Sequence, residues 1–212
     1  MTEAEAAEIE VVTRGQAAAQ RWHQERRIRL TASNFGPVMT LRDSTDGSSL
    51  ASRLLDVRPL SVPAVVWGKN NEGKARRAYE RKTGRKVTKS GFVIDVKAPF
   101  LGCSPDGVMS DRVLEIKCPY SARQAPVEAG VVDWLVIRDG VLKVKEYTRY
   151  WYQVQGQMAI MGRSLCDVAV FTEVDLAVVT VHAVPGLYEE VMVPKLREFY
   201  CKYMAPLIVL RR

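Results

Sequence analysis

The sequence predicts an α/β or α+β domain in which a central mixed β-sheet is flanked by helices. Three observations lead there. Strand-length apolar runs rich in β-branched residues recur at 112–118, 165–172 and 177–184. Helix-length segments with apolar residues on one face lie before and between them, at 70–83 and 147–161. Turn signals punctuate the two kinds, most clearly Asp139-Gly140 between two short apolar runs. A length of 212 residues fits one domain, so 1–212 is expected to be a single unit with 1–20 as an acidic helical N-terminal extension.

In chain order, 2–27 reads as helical, with Gly15 as the candidate break. Residues 31–39 read as a short helix opened by Thr31 or Ser33 as its cap. The stretch 41–65 holds Asp43-Ser44-Thr45-Asp46-Gly47-Ser48-Ser49, with Pro37, Pro59 and Pro63 nearby or within. It reads as a loop, a short helix and another loop. Residues 70–83 form a strong helix stopped by Gly84, with Ala75, Ala78 and Tyr79 inward and Lys74, Arg76, Arg77, Arg81 and Lys82 making most of the rest basic. Strands are expected at 87–96, 100–103 and 112–118, a hairpin at 134–145, a helix at 147–161, strands at 165–172 and 177–184, and a closing helix at 187–203.

Hydrophobic residues are 47% and charged residues 26% of the chain, the balance of a protein with a core. No apolar stretch approaches the ~20 residues of a membrane span, and the Glu/Ala-rich start has the wrong chemistry for a secretory signal. Cys103, Cys118, Cys166 and Cys201 are scattered without a CxxC pair, which reads as reduced, intracellular and mostly structural. Residues 1–10 carry four Glu and no base, so the net charge of +7 becomes +11 over the remaining 202 residues. A basic body suits a polyanionic partner, nucleic acid being the commonest.

The chemistry concentrates in Ser104-Pro105-Asp106-Gly107 and Leu114-Glu115-Ile116-Lys117-Cys118-Pro119. Proline and glycine turn the chain sharply so that Asp106 can project inward, although Pro-Asp-Gly alone is an ordinary turn. Glu115 interrupts an apolar strand, where a carboxylate is costly unless paired or bound to a metal. Strand alternation puts Glu115 and Lys117 on one face and Leu114, Ile116 and Cys118 on the other. Two acids with oxygen ligands suit Mg²⁺ or Mn²⁺, and the Ile116 carbonyl can add a ligand. Lys117 would then sit near the attacking water or the scissile phosphate, the chemistry of a metal-dependent phosphodiesterase.

Around this pair, Glu72 opens the basic helix, either as a first-turn acid complementing the helix dipole or as a further acid near the metal. Gln153 and Gln157 are four apart on one helix face. Arg26, Arg27 and Arg29 precede Leu30-Thr31-Ala32-Ser33, a candidate anion pocket or a plain basic turn. His23 and His182 are isolated, no Gly-rich nucleotide loop is present, and the sequence supports no argument for a serine or cysteine triad.

Taken in order, Trp22-His23 … Arg26 … Leu30-Thr31-Ala32-Ser33, Trp67-Gly68-Lys69 … Glu72, Cys103-Ser104-Pro105-Asp106-Gly107, Leu114-Glu115-Ile116-Lys117-Cys118-Pro119 and Gln153-Val154-Gln155 form a pattern over roughly 20–160. It resembles the PD-(D/E)xK nuclease superfamily and, within it, the lambda exonuclease and YqaJ-type viral recombinase (alkaline exonuclease) family. The resemblance implies a restriction-endonuclease-like core and a 5′→3′ exonuclease that digests one strand of linear duplex DNA to leave 3′ single strands for recombination. It implies one or two Mg²⁺ ions (Mn²⁺ as the alternative) held by Asp106, Glu115 and Ile116, with Lys117 supporting the water and Glu72 and Gln153 completing the catalytic set. Arg26 matches the family's arginine for a 5′-phosphate, with Ser33 and Ser104 as helpers and Arg123 as a second basic position. A single-strand annealing partner, a homotrimeric ring, and a viral or phage origin in the cytoplasm or nucleus of a host cell follow from the same resemblance. The stretch 41–65 has no clear counterpart, and after 165 only the general pattern matches. Competing expectations are a structure- or sequence-specific endonuclease and a non-catalytic DNA-binding protein on the same fold; loss of Asp106, Glu115 or Lys117 would have favoured the latter, and all three are present.

Overall fold

A computed structural model describes residues 1–56 and 62–211. Its elements run α1 (Glu3–Val12), α2 (Gln20–Arg27), β1 (Leu30–Thr31), α3 (Phe35–Met39), α4 (Ser48–Leu55), α5 (Pro63–Thr83), β2 (Val93–Ile94), β3 (Leu101–Cys103), β4 (Gly107–Val108), β5 (Arg112–Lys117), β6 (Leu135–Arg138), β7 (Val141–Val144), α6 (Arg149–Met161), β8 (Leu165–Phe171), β9 (Leu176–His182), α7 (Val193–Phe199) and α8 (Ala205–Leu210). Two wider π-helical stretches, Leu187–Met192 and Tyr200–Met204, precede and join the last two helices. The closing helix expected at 187–203 therefore runs on to Leu210 with its turns locally expanded. None of the described helices is long and apolar enough to cross a membrane.

The mixed β-structure is divided rather than continuous. A four-stranded sheet, ordered β4-β5-β8-β9, pairs β5 with β8 in parallel and the other neighbours antiparallel. A three-stranded sheet, β1-β3-β2, pairs β1 with β3 in parallel. The hairpin β6–β7 stands separately, turning at Asp139 (φ 55) and Gly140 (φ 73), the left-handed pair that its Asp-Gly sequence favours.

Several boundaries differ from the sequence expectation, each for a physical reason. The strand expected over 87–96 is only Val93–Ile94, with an isolated bridge from Thr88 to Val108. Its missing partners are in α1: the Gly91 N–H donates to Glu10 Oε1 (2.9 Å) and the Phe92 N–H to Thr13 Oγ1 (2.7 Å). A Cβ at Gly91 would lie 1.9 Å from the Glu10 carbonyl oxygen, so glycine permits the approach. The N-terminal segment is thus helical as expected but docked, with Ala6 and Ile9 packed on Phe92 and Ile94. Its break falls at Thr13, and Gln16 rather than Gly15 takes the positive φ. Thr31 stands at the N-cap of a single 3-10 turn, Ala32–Asn34, but neither it nor Ser33 makes a side-chain capping bond; their hydroxyls bond each other at 3.0 Å. Helix α5 begins earlier than expected, at Pro63 as its first residue, a position where the absent N–H is no loss. Pro59 lies outside the described residues.

Helix α6 is central to the packing. Trp151, Val154 and Met158 join Val113, Val168 and Val170 in one apolar cluster. On another side α6 meets α3 so closely that a Cβ on Gly36 would fall 2.2 Å from the Arg149 Cα, and one on Gly156 would fall 2.5 Å from the Phe35 ring. Ala75 and Tyr79 of α5 pack with Leu114, Ile116 and Ala169 of β5 and β8.

A buried polar knot ties α5 to the sheet. Asp167 on β8, 2% exposed, accepts from Tyr79 Oη (2.6 Å), Arg112 Nη1 (3.0 Å) and Thr180 Oγ1 (2.7 Å). Asp167→Ala leaves a buried hydroxyl and a mostly buried guanidinium without their shared acceptor. It is expected to lower unfolding stability by about 3 kcal/mol, read as a shift of the urea midpoint.

Candidate active site

Glu115 sits in the middle of β5, 4% exposed, and three donors meet its charge. Lys117 Nζ (2.7 Å) and Gln153 Nε2 (2.6 Å) both reach Oε1, and Gln157 Nε2 reaches Oε2 at 2.7 Å. Two levels of periodicity produce this. Strand alternation puts Glu115 and Lys117 on one face of β5, and the four-residue spacing puts Gln153 and Gln157 on the facing side of α6. Thr148 opens α6 by accepting from the Trp151 N–H, which sets where that helical face begins.

Asp106 lies just before β4, whose antiparallel pairing with β5 brings the two acids together. Its N–H donates to the Leu114 carbonyl (3.1 Å), and its Oδ2 accepts from the Ile116 N–H (2.6 Å). Burial, then the charges of Glu115 and Glu72, raise its carboxyl well above the usual aspartate range. Glu72 is therefore close enough to act through its field, from its place within α5.

Lys117 Nζ also donates to Gln153 Oε1 (3.0 Å) and lies 4.6 Å from the centroid of the Tyr150 ring. Burial works against its charge, but Glu115, with Asp106 and Tyr150, more than offsets this and the net shift is upward. Lys117 is thus a charged donor near neutral pH.

Of the three neighbouring arginines only Arg26 faces this site. Arg29, 8% exposed, is held by the Glu25 carboxylate and by the Pro99 carbonyl (2.8 Å), and Arg27 is exposed elsewhere. Arg26 stacks 4.3 Å from the Trp22 ring centroid, with Ser104 Oγ and Ser33 Oγ each 3.5 Å from its guanidinium nitrogens. Burial pulls the guanidinium down to about 10, which leaves it charged at neutral pH.

A cavity of about 210 Å³ gathers these groups. Arg26, Ser33 and Ser104 line one part of it, and Asp106, Glu115, Lys117 and Gln153 another. Gln16, Trp22 and Gln157 complete the wall. A larger cavity of about 480 Å³ lies against α3 and α7, away from these residues. Arg123 is not brought in: it stacks on Tyr120 (4.2 Å) and donates to the Tyr120 carbonyl (2.9 Å) in the loop after β5. Glu72 also lies outside the wall.

Sequence reasoning missed two participants, Gln16 and Tyr150, and held a third, Trp22, in its motif without giving it a role. Trp22, one helical turn before Arg26, donates to Ser104 Oγ at 2.8 Å. Gln16 ties Ser90 and Pro105 through their carbonyls at 3.0 Å each. Tyr150 supplies the ring beneath Lys117. Only Trp22 carried a usable signal, its four-residue spacing from Arg26.

No three His, Cys, Asp or Glu side chains converge as a ready-made metal site among the described residues. The donor chemistry nevertheless fits a hard divalent cation. Two crowded acids, one of them raised by burial and by the other's charge, are relieved by positive charge, and Mg²⁺ takes one or two carboxylates with waters and substrate phosphate making up the rest.

No curated protein matches the chain in sequence. Among solved structures, an alkaline exonuclease from Laribacter hongkongensis shares the fold with a TM-score of 0.70 at 23% identity, over 92% of this chain and 97% of that one. A SOX–DNA complex gives 0.62 at 13% identity over 93% and 70% of the two chains. A phage-related exonuclease from Haemophilus somnus gives 0.57 at 12% over 87% and 96%. At these identities the likeness is one of fold, and it agrees with the mixed sheets and flanking helices. The model of the YqaJ-like viral recombinase domain matches residues 21–164, which hold every group lining the cavity except Gln16, and on that match the chain belongs to the YqaJ-like viral recombinase domain family.

Proposed function

We propose that the protein is a Mg²⁺-dependent 5′→3′ exonuclease that removes one strand of linear duplex DNA and leaves 3′ single strands for recombination. The observation that carries this reading is the shared cavity. The arginine pocket built by Arg26, Ser33 and Ser104 opens into the same small space as Asp106, Glu115 and Lys117. A terminal phosphate held at Arg26 would bring the adjoining phosphodiester to the acids. An enzyme cutting within a duplex has no use for such a pocket.

Asp106, Glu115 and the Ile116 carbonyl are the proposed holders of one or two ions, with Mn²⁺ as the alternative metal. The metal would supply a nucleophilic water at neutral pH and offset phosphate charge. The chain's own groups do the rest. Lys117 keeps its proton and places positive charge where negative charge develops. Gln153 holds Lys117 and Glu115 in one arrangement through both ends of its amide. Glu72 adds negative field that favours the cation. Arg123, outside the cavity wall, is assigned to the backbone of DNA approaching over the loop after β5. The basic body attracts the duplex. An annealing protein, a trimeric ring, a single 1–212 domain and a viral or phage setting inside a host cell belong to the same proposal and come from the family.

Linear duplex with 5′-phosphate ends should lose one strand in Mg²⁺ while closed circular duplex stays intact; cutting of the circle would replace this reading with an endonuclease. Glu115→Ala should abolish cleavage yet retain DNA in a gel-shift assay, and normal cleavage by this variant would show the site to be misplaced. Arg26→Ala should slow digestion of phosphorylated ends about tenfold or more and hardly affect 5′-hydroxyl ends.

The raised Asp106 carboxyl gives a pH test. In the metal-free folded chain it keeps its proton at pH values where the unfolded chain has lost it. Stability therefore falls as pH rises from the usual aspartate range through the raised folded value. A divalent cation binds the deprotonated form, so its stabilising effect should grow across that window. Urea midpoints measured over pH, with and without Mg²⁺, should show both trends in the native protein and neither in Asp106→Asn.

A further inference from the structure

We infer that Gln157 is a positioning residue that fixes the plane of the Glu115 carboxylate and so sets the affinity of the site for a divalent cation; the inference rests on the metal-dependent reading above. Helix α6 carries three buried glutamines, and they differ in one respect. Gln155 closes both ends of its amide on the end of β9 and the chain just past it, donating to the His182 carbonyl (2.8 Å) and accepting from the Val184 N–H (2.9 Å). Gln153 closes both on Glu115 and Lys117 (2.6 and 3.0 Å). Gln157, 1% exposed, donates to Glu115 Oε2 at 2.7 Å, while its own Oε1 is buried without a donor.

An unpaired buried acceptor is a cost that a methionine of similar volume would not carry. Reversing the amide would set its oxygen against the carboxylate, so the orientation is chemically fixed. The amide is explained by what it does for Glu115. The terminal torsion of a glutamate is soft. Lys117 and Gln153 both bind Oε1, so they leave the carboxylate able to swing about that oxygen. Among the described residues Gln157 is the donor on Oε2, and this third point of attachment fixes the plane. Oε1 then carries two donors and Oε2 one, so acceptor capacity remains on Oε2, in the cavity wall that Glu115 shares with Asp106. Partners that orient a metal-binding group typically change metal affinity or activity 10–100-fold when removed.

Gln157→Met, checked for native circular dichroism, is compared with the native protein in two ways. Calorimetric titration with Mn²⁺ in the absence of DNA should show about tenfold weaker binding, and digestion of linear duplex should show kcat lowered about tenfold with KM for DNA unchanged. Unchanged Mn²⁺ affinity and kcat would overturn the inference. Should the variant fail to fold, the native ¹⁵N-labelled protein decides the matter by NMR during Mg²⁺ titration. Shifts of the Gln157 side-chain amide together with the Asp106 backbone amide support the inference. A shift at Asp106 without one at Gln157 overturns it alone, and no shift at either removes the metal reading and this inference with it.

Discussion

Burial of one carboxylate governs this structure. Glu115 stands in the central part of β5, where a charge without partners would be intolerable, and its three donors come from two elements. That requirement couples β5 to α6. The helix must present Gln153 and Gln157 at the height of Glu115, so its start at Thr148 and its close seat against α3 are both constrained. The apolar cluster around Trp151, Val154 and Met158 supplies the adhesion, while the amides supply the registration. A slip of one residue in either element would turn the donors away and leave the charge exposed to apolar side chains.

The second acid follows from the first. β4 is only two residues long, yet its pairing with β5 delivers Asp106 to the Ile116 N–H and into the field of Glu115. The result is a strained charge balance: one acid well satisfied, one raised, and a lysine held by the satisfied one. Positive charge beside the two acids would relieve such a balance, as the metal proposed above requires. The Asp167 knot on the neighbouring strand is the useful contrast. There an equally buried acid is surrounded by Tyr79, Arg112 and Thr180, every contact is internal, and it faces no part of the cavity wall. One acid serves the architecture, while Asp106 before β4 and Glu115 on β5 line the cavity.

Much of this was legible in the sequence because the signals were redundant. β8 and β9 are long, β-branched runs, and α5 has a clean glycine stop. Glu115 and Lys117 declared themselves by interrupting an apolar strand, and Gln153 with Gln157 by helical spacing. What escaped was set by distant partners. Nothing local in 87–96 shows that Gly91 and Phe92 give their N–H groups to α1 instead of a strand. The brevity of β4 hid a strand inside what reads as a turn. Tyr150 and Gln16 act through contacts whose sequence separation exceeds any periodicity.

The arginine segment shows how a structure settles what spacing leaves open. Arg26, Arg27 and Arg29 are chemically alike, and any of them suits a phosphate. Glu25 makes the distinction. Buried beside Arg29, it takes that guanidinium into an ion pair that helps hold α2 against the Pro99 carbonyl. Arg29 is thereby spent on the fold, and its removal would leave buried Glu25 with Arg21 as its remaining ion-pair partner. Arg27 points to the outer surface. Arg26 alone keeps its charge facing the cavity, over the Trp22 ring and with its nearest hydroxyls at the long limit of hydrogen bonding. Bonds at that limit hold a guanidinium weakly, which leaves its donors open toward the cavity for the terminal phosphate proposed above. The same acid that anchors Arg29 thus leaves Arg26 available, and the division of labour is decided by burial.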